Sequence, residues 1–161
     1  MIDIVNFSGD LFQLGFSKIY NVNDFNIKLG KNNREIASDK NIDILLMPEI
    51  ASKGRNLVNL DSGLNEVICR LASKNEVAMG ISFSAILNSK NRSWLLARLM
   101  QNVRLCRKYK VKMVMASFAS DKYEMRHARD LLNFCLVLGM NDKEAGEALN
   151  FKKKEMLPRF V

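Results

Sequence analysis

Apolar residues in this chain fall into short runs, separated by longer stretches in which they recur every three or four positions. Runs of β type lie at Ile2–Phe7, Ser17–Val22, Ile42–Met47, Val77–Phe83 and Val111–Ala116. IDILLM at 42–47 and VKMVMA at 111–116 are nearly continuous, as strands covered on both faces are. Helical patterns stand between them. Leu64–Lys74 places Val67, Ile68 and Leu71 on one face, and Trp94–Tyr109 does the same with Leu96, Leu99, Val103 and Cys106. Two more helices are expected over Tyr123–Leu138 and Asp142–Leu149, with Gly139 as a left-handed stop between them. Asn23–Lys40, rich in Asn and Lys, reads as a short strand or loop at Phe25–Leu29 and a brief helix at Asn32–Lys40. Lys152–Lys154 reads as a frayed basic end. Strand alternating with helix predicts an α/β fold of parallel βα units.

Composition adds limits to this picture. A length of 161 residues is that of one domain, and 48% hydrophobic against 26% charged residues is ordinary globular material. The start MIDIVNFSGDLF has no basic leader region, and no apolar run approaches the ~18–20 residues of a membrane span. A soluble, cytoplasmic protein without membrane partners is the expectation. Cys69, Cys106 and Cys135 sit singly in apolar helical patterns, so they are expected to be buried, reduced thiols.

Charge changes the picture more. Lys90–Arg129 holds eleven Lys/Arg against two acids, Asp121 and Glu124, and the whole net charge of +8 comes from the second half of the chain. Such asymmetry is the footprint of a face that meets a polyanion. Gln101, Arg104 and Lys108 form one helical stripe beside the apolar face, Arg98 falls on the opposite flank, and Lys110 and Lys112 follow at the helix end. The helix dipole favours cations at a C-terminus, and a basic solvated face is the bland alternative. Against it, Arg92–Lys112 contains no acid at all. The turn after Val111–Ala116 is a second clue, because parallel βα folds bind ligands at strand C-terminal ends. Ser117 and Ser120 stand there, Asp121 can cap the next helix, and Arg126 and Arg129 would project from its first turns. Hydroxyls, helix-start N–H groups and guanidinium forks suit phosphate oxygens.

Catalytic groups are scarce. His127 is the single histidine, so a metallohydrolase cluster cannot be assembled. A nucleophile–base pair would have to use His127, which stands among Arg126 and Arg129 with only Asp130 as an orienting acid; it reads as a surface residue that can meet the polyanion. A carboxylate site for Mg²⁺ could draw only on the isolated acids Asp43, Glu49 and Asp61, which read equally as caps or solvated groups. No phosphate-binding glycine loop occurs. No metal, cofactor or catalytic residue is expected.

The letters from Asn102 to Met140, NVRLCRKYKVKMVMASFASDKYEMRHARDLLNFCLVLGM, resemble the ribonuclease P protein component 3 family of archaea and eukaryotes. IDILLMPEI at 42–50, DSGLNEVICRLASKNEVAMGISFSAIL at 61–87 and NRSWLLARLMQNVR at 91–104 continue the resemblance, which covers roughly Ile42–Leu149. It implies a PHP-like TIM barrel related to metal-dependent phosphoesterases but without their metal ligands. At this length the barrel is expected to be abbreviated or incompletely closed, forming one domain over 1–161 with a basic tail at 152–161. It also implies a subunit of the ribonuclease P holoenzyme, whose RNA removes the 5′ leader from precursor tRNA. Implied partners are ribonuclease P RNA, precursor tRNA, the component 2 protein and other subunits. Candidate RNA contacts are Arg98, Arg104, Arg107, Lys108, Arg126 and Arg129, with Ser117 and Ser120 as secondary contacts. Where the family pattern carries a strand-end histidine this chain has Met47, and where it carries Ser-Gly-Ala this chain has Ser117-Phe118-Ala119. Ala128 stands in place of a proline. A metal-dependent phosphoesterase or a barrel that binds only protein are the alternative readings.

Overall fold

The protein is described by a computed structural model over residues 1–8, 13–51 and 61–153. The strands are β1 (Ile2–Val5), β2 (Lys18–Asn21), β3 (Ile27–Leu29), β4 (Ile44–Leu46), β5 (Ala78–Ser82) and β6 (Met113–Ala116). The helices are α1 (Asn33–Ser38), α2 (Glu66–Asn75), α3 (Phe83–Asn88), α4 (Arg92–Tyr109), α5 (Ala128–Val137) and α6 (Asp142–Ala148). All strand pairings are parallel. One sheet has the order β3-β4-β5-β6, and β1 pairs with β2 in a second. Of the basic tail expected over 152–161, Lys152 and Lys153 are described and the rest lies outside the described residues.

The two sheets meet at a seam between β1 and the end of β6. The backbone N–H of Phe118 donates to the carbonyl of Ile4 at 2.8 Å, and that of Asn6 to Ala119 at 2.7 Å. Between them, the wholly buried Asp3 carboxylate accepts from the Ser117 N–H (2.6 Å), the Ser117 hydroxyl (2.7 Å) and the N–H of Ile4 (2.9 Å). Burial pushes the Asp3 carboxyl up from its ordinary range, and the three donors work against that rise. The strands thereby run in the spatial order β2-β1-β6-β5-β4-β3.

Alternation along each strand then makes an inside and an outside. Ile2 and Ile4, Tyr20, Ile27, Ile44 and Leu46, Ala78, and Val114 and Ala116 come from all six strands and meet in one cluster. Phe25, Phe118 and Phe151 complete it. This is the interior of an incompletely closed, TIM-barrel-like arrangement. No ladder joins β2 to β3 among the described residues. Beside that gap Phe25 packs edge-on against Tyr20 at 5.3 Å and against Phe151 at 6.1 Å. The Lys153 ammonium donates to the carbonyl of Asp24. The interior is tight: a Cβ on Gly80 would lie 2.6 Å from Cγ2 of Ile44. The intervening strand residues Leu45, Met79, Ile81 and Met115 face outward onto Ile68, Leu99, Val103, Cys106, Leu131 and Cys135 of the helices. All three cysteines are free and buried, and burial raises the Cys69 thiol to about 11.

Three details of the elements differ from the sequence reading. Val67 is exposed and the buried face of α2 is Ile68, Cys69 and Ala72, about one residue round the helix from the predicted stripe. Helix α3 follows β5 directly, capped by the Ser82 hydroxyl, which accepts from the N–H of Ala85. The helix expected from Tyr123 begins only at Ala128. Asp121 accepts the N–H groups of Tyr123 and Glu124, and Arg126 donates to the carbonyls of Tyr123 and Met125. These bonds stabilise a turn in place of the first helical turns. Gly139 takes the left-handed conformation expected of it, at φ +95°.

Replacing Asp3 by Ala should lower the unfolding free energy by about 2–4 kcal/mol, because the Ser117 donors would remain buried without a partner. Urea denaturation followed by circular dichroism measures this. A loss under about 1 kcal/mol would mean that the seam holds without the carboxylate.

Candidate functional site

The C-terminal ends of β5 and β6 form a rim stitched by small polar side chains. The buried Ser84 hydroxyl donates to the carbonyl of Phe118 (3.0 Å) and lies 3.1 Å from the hydroxyl of Ser82, while its N–H donates to the carbonyl of Ser117 (2.9 Å). Phe118 sits at φ +46°, a left-handed conformation that L-residues adopt reluctantly. Its ring, 6% exposed, joins the barrel interior. The site where the family pattern has glycine thus keeps a glycine-like backbone while the side chain fills the core.

Beyond this loop the chain turns outward. Ser120 is exposed, and its N–H donates to Glu124 at 2.8 Å. The other Glu124 oxygen accepts from Asn88 at 2.7 Å. Asp121 and Glu124, the two acids of the basic segment, are therefore occupied in shaping the turn. Arg126 spends one guanidinium nitrogen on two backbone carbonyls, and its guanidinium carbon lies 5.7 Å from the Phe83 ring centre. Its other edge has no hydrogen bond among the described residues. His127 caps α5: its Nδ1 accepts from the N–H of Arg129, and its ring packs over Gly15. Arg129 is exposed on the first turn.

The remaining predicted contacts spread along α4. This helix has 18 residues, so it is about 27 Å long. Its N-terminus lies by the strand C-terminal ends and its C-terminus by the strand starts. Arg98 is part-buried near the end of β4, its Nη1 3.5 Å from the carbonyl of Glu49. Arg104 is exposed partway down, and Lys108 is exposed near the far end. The eleven cations of Lys90–Arg129 thus do not share one surface. Two predicted contacts are otherwise engaged. Arg107 forms a bidentate pair with Glu144 of α6 (2.7 and 2.6 Å) and donates to the carbonyl of Gly139, which raises its basicity and lowers that of Glu144. Ser117 is wholly buried and bound to Asp3.

Asp43, Glu49 and Asp61 do not converge. Asp43 precedes β4 and accepts from the N–H of Asn26, Glu49 lies past the end of β4, and Asp61 accepts from the N–H of Gly63. Among the described residues no group of three or more His, Cys, Asp or Glu side chains is placed to hold a metal ion. None of the described helices is long and apolar enough to cross a membrane.

Comparison with known proteins places this arrangement. The sequence profile described as RNase P subunit p30 matches residues 27–158. The chain belongs to the RNase P subunit p30 family. Its relatives include ribonuclease P protein component 3 of Methanosarcina mazei, 33% identical over 129 residues, which are 79% of this chain and 51% of that protein. The Methanococcus maripaludis protein of the same name is 36% identical over 106 residues, 65% of this chain and 43% of its own. The chain spans about half the length of the curated relatives it matches. A chain in a cryo-EM structure of archaeal ribonuclease P with mature tRNA shares the fold, with a TM-score of 0.72 at 20% identity over 93% of this chain and 87% of that one. Within the p30 fold, the buried polar residues Asp3 and Asn102 escaped the sequence reading, and Glu49, read there as an isolated acid, is buried as well. The signal was present for Asp3, an acid inside the apolar run IDIV, and for Asn102, which interrupts the apolar face of α4.

Burial raises the Glu49 carboxyl to about 7, against the opposing pull of Arg98 and Asn102. The folded chain therefore holds this proton more tightly than the unfolded chain. Glu49 is harmless to stability below about pH 4.5 and increasingly unfavourable as pH rises towards 7. Glu49→Gln should accordingly stabilise the protein by about 2–3 kcal/mol at pH 8 and hardly at all at pH 4.5. Paired urea titrations at the two pH values test this, and a gain independent of pH would contradict it.

Proposed function

We propose that this chain is an RNA-binding subunit of ribonuclease P that supports the catalytic RNA in removing the 5′ leader from precursor tRNA. It works in the cytoplasm with ribonuclease P RNA, precursor tRNA, the component 2 protein and the other subunits, and contributes no catalytic residue. Family membership supports the assembly. The cationic rim at the strand ends supports the role, and it carries the reading: Arg126 lies on the turn that follows the exposed Ser120 and Arg129 on the first turn of α5, with Asp121 and Glu124 committed to the turn. Binding through such groups is phosphate-directed and depends on salt. Arg98 and Arg104 extend the contact along α4, while Ser117 and Arg107 act by holding the scaffold.

Changing Arg126 and Arg129 together to Ala should reduce the salt slope of binding to ribonuclease P RNA by about two. Filter binding at several salt concentrations reads this, and an unchanged slope would remove the rim from the interface. Arg107→Ala should instead leave the slope alone and destabilise the fold by about 1 kcal/mol, since the ion pair is half exposed.

A further inference from the structure

We propose that the chain carries a second RNA-binding surface at the opposite end of the barrel, in the groove between the C-terminal ends of α2 and α4. This rests on the ribonuclease P reading and adds to it that one subunit holds two RNA segments apart.

The groove has a volume of about 530 Å³ and is lined by Arg70, Ser73, Lys74, Lys108, Tyr109 and Lys110. Ser73 donates to the carbonyl of Lys110, which fixes the two helix ends to each other at 3.3 Å. Lys110 itself is the left-handed cap of α4, at φ +56°. Two cations lie over the Tyr109 ring: the Arg70 guanidinium carbon is 5.3 Å from its centre and the Lys108 ammonium 5.2 Å.

Helix dipoles explain part of this charge, because each C-terminus carries roughly half a negative charge. Two acids are also at hand. Glu66 pairs with Arg70 at 2.8 Å, and Glu76 pairs with Lys112 at 3.0 Å, both in the open. Lys74, Lys108 and Lys110 form no salt bridge among the described residues, although Lys108 lies close enough to Glu66 to help hold its carboxyl below the usual range. The cations thus outnumber what the two helix ends and two acids can balance. A solvated helix end needs no such excess, whereas a run of phosphates would neutralise it.

The Arg126–Arg129 rim lies at the other end of the strands. A helix of about 27 Å separates the two ends, so the groove and the rim are distinct sites on the molecule. On this proposal each takes its own segment of RNA.

The test compares the unaltered protein with Lys74→Gln/Lys108→Gln and with Arg126→Ala/Arg129→Ala on ribonuclease P RNA. Both Lys74 and Lys108 are exposed, and circular dichroism confirms that each variant is folded. Each double variant should reduce the salt slope by about two, and hydroxyl-radical footprinting should show the loss of two different protected segments. If the lysine variant keeps both slope and footprint, the groove is not an RNA surface and this proposal falls alone. If both variants lose the same segment, there is one surface and not two. If the unaltered protein fails to bind the RNA even at low salt, the ribonuclease P reading fails as well.

Discussion

The rim at the strand ends hangs on a carboxylate that never reaches solvent. Asp3 sits in the shortest possible place to matter, on the strand that joins a two-stranded sheet to a four-stranded one. Its two oxygens accept from both the backbone and the hydroxyl of Ser117. That arrangement closes the seam and at the same time sets the direction in which the chain leaves β6. Phe118 then turns left-handed and buries its ring, Ser84 holds the loop from the neighbouring strand, and the outward turn carrying Arg126 begins. A buried acid is ordinarily a liability. Here the donors around it are fixed by the same strand ends it joins.

The parallel βα order was legible because the interior and the helix layer impose opposite demands on alternate residues. Ile44 and Leu46 face inward while Leu45 faces the helices, so the run is apolar throughout. Even the middle of the chain obeyed its pattern, yielding β3 and α1. Local chemistry outweighed periodicity elsewhere. The stretch from Tyr123 has helical spacing, yet Asp121, Glu124 and Arg126 satisfy its backbone as a turn. On α2 the adjacent apolar residues Val67 and Ile68 left the buried face ambiguous by one position, and packing chose Ile68.

The candidate site was legible as charge but not as geometry. A count along the chain gathers eleven cations in one segment, whereas α4 carries them from one end of the barrel to the other. Composition also cannot say which cations are engaged. Arg107 and Arg104 are neighbours on the same helix, yet only Arg107 meets a carboxylate, because only it faces α6. Partnership across forty residues of sequence leaves no trace in local spacing.

The gap between β2 and β3 has a consequence for how the molecule comes apart. With no ladder there among the described residues, the β1–β2 pair meets the remaining strands along one edge, through two backbone hydrogen bonds and the Asp3 cluster. The four-stranded sheet and its helices can keep their own hydrogen bonds when that edge releases. The seam is thus a place where the β1–β2 pair can part from the other strands without breaking a ladder, once its bonds to the helices at Leu149 and Ala128 are also released. Its release would uncover the phenylalanine-lined interior and free the Ser117 loop in one event. Anything that binds the rim and steadies that loop also opposes the opening, so occupancy at the surface is coupled to closure of the barrel.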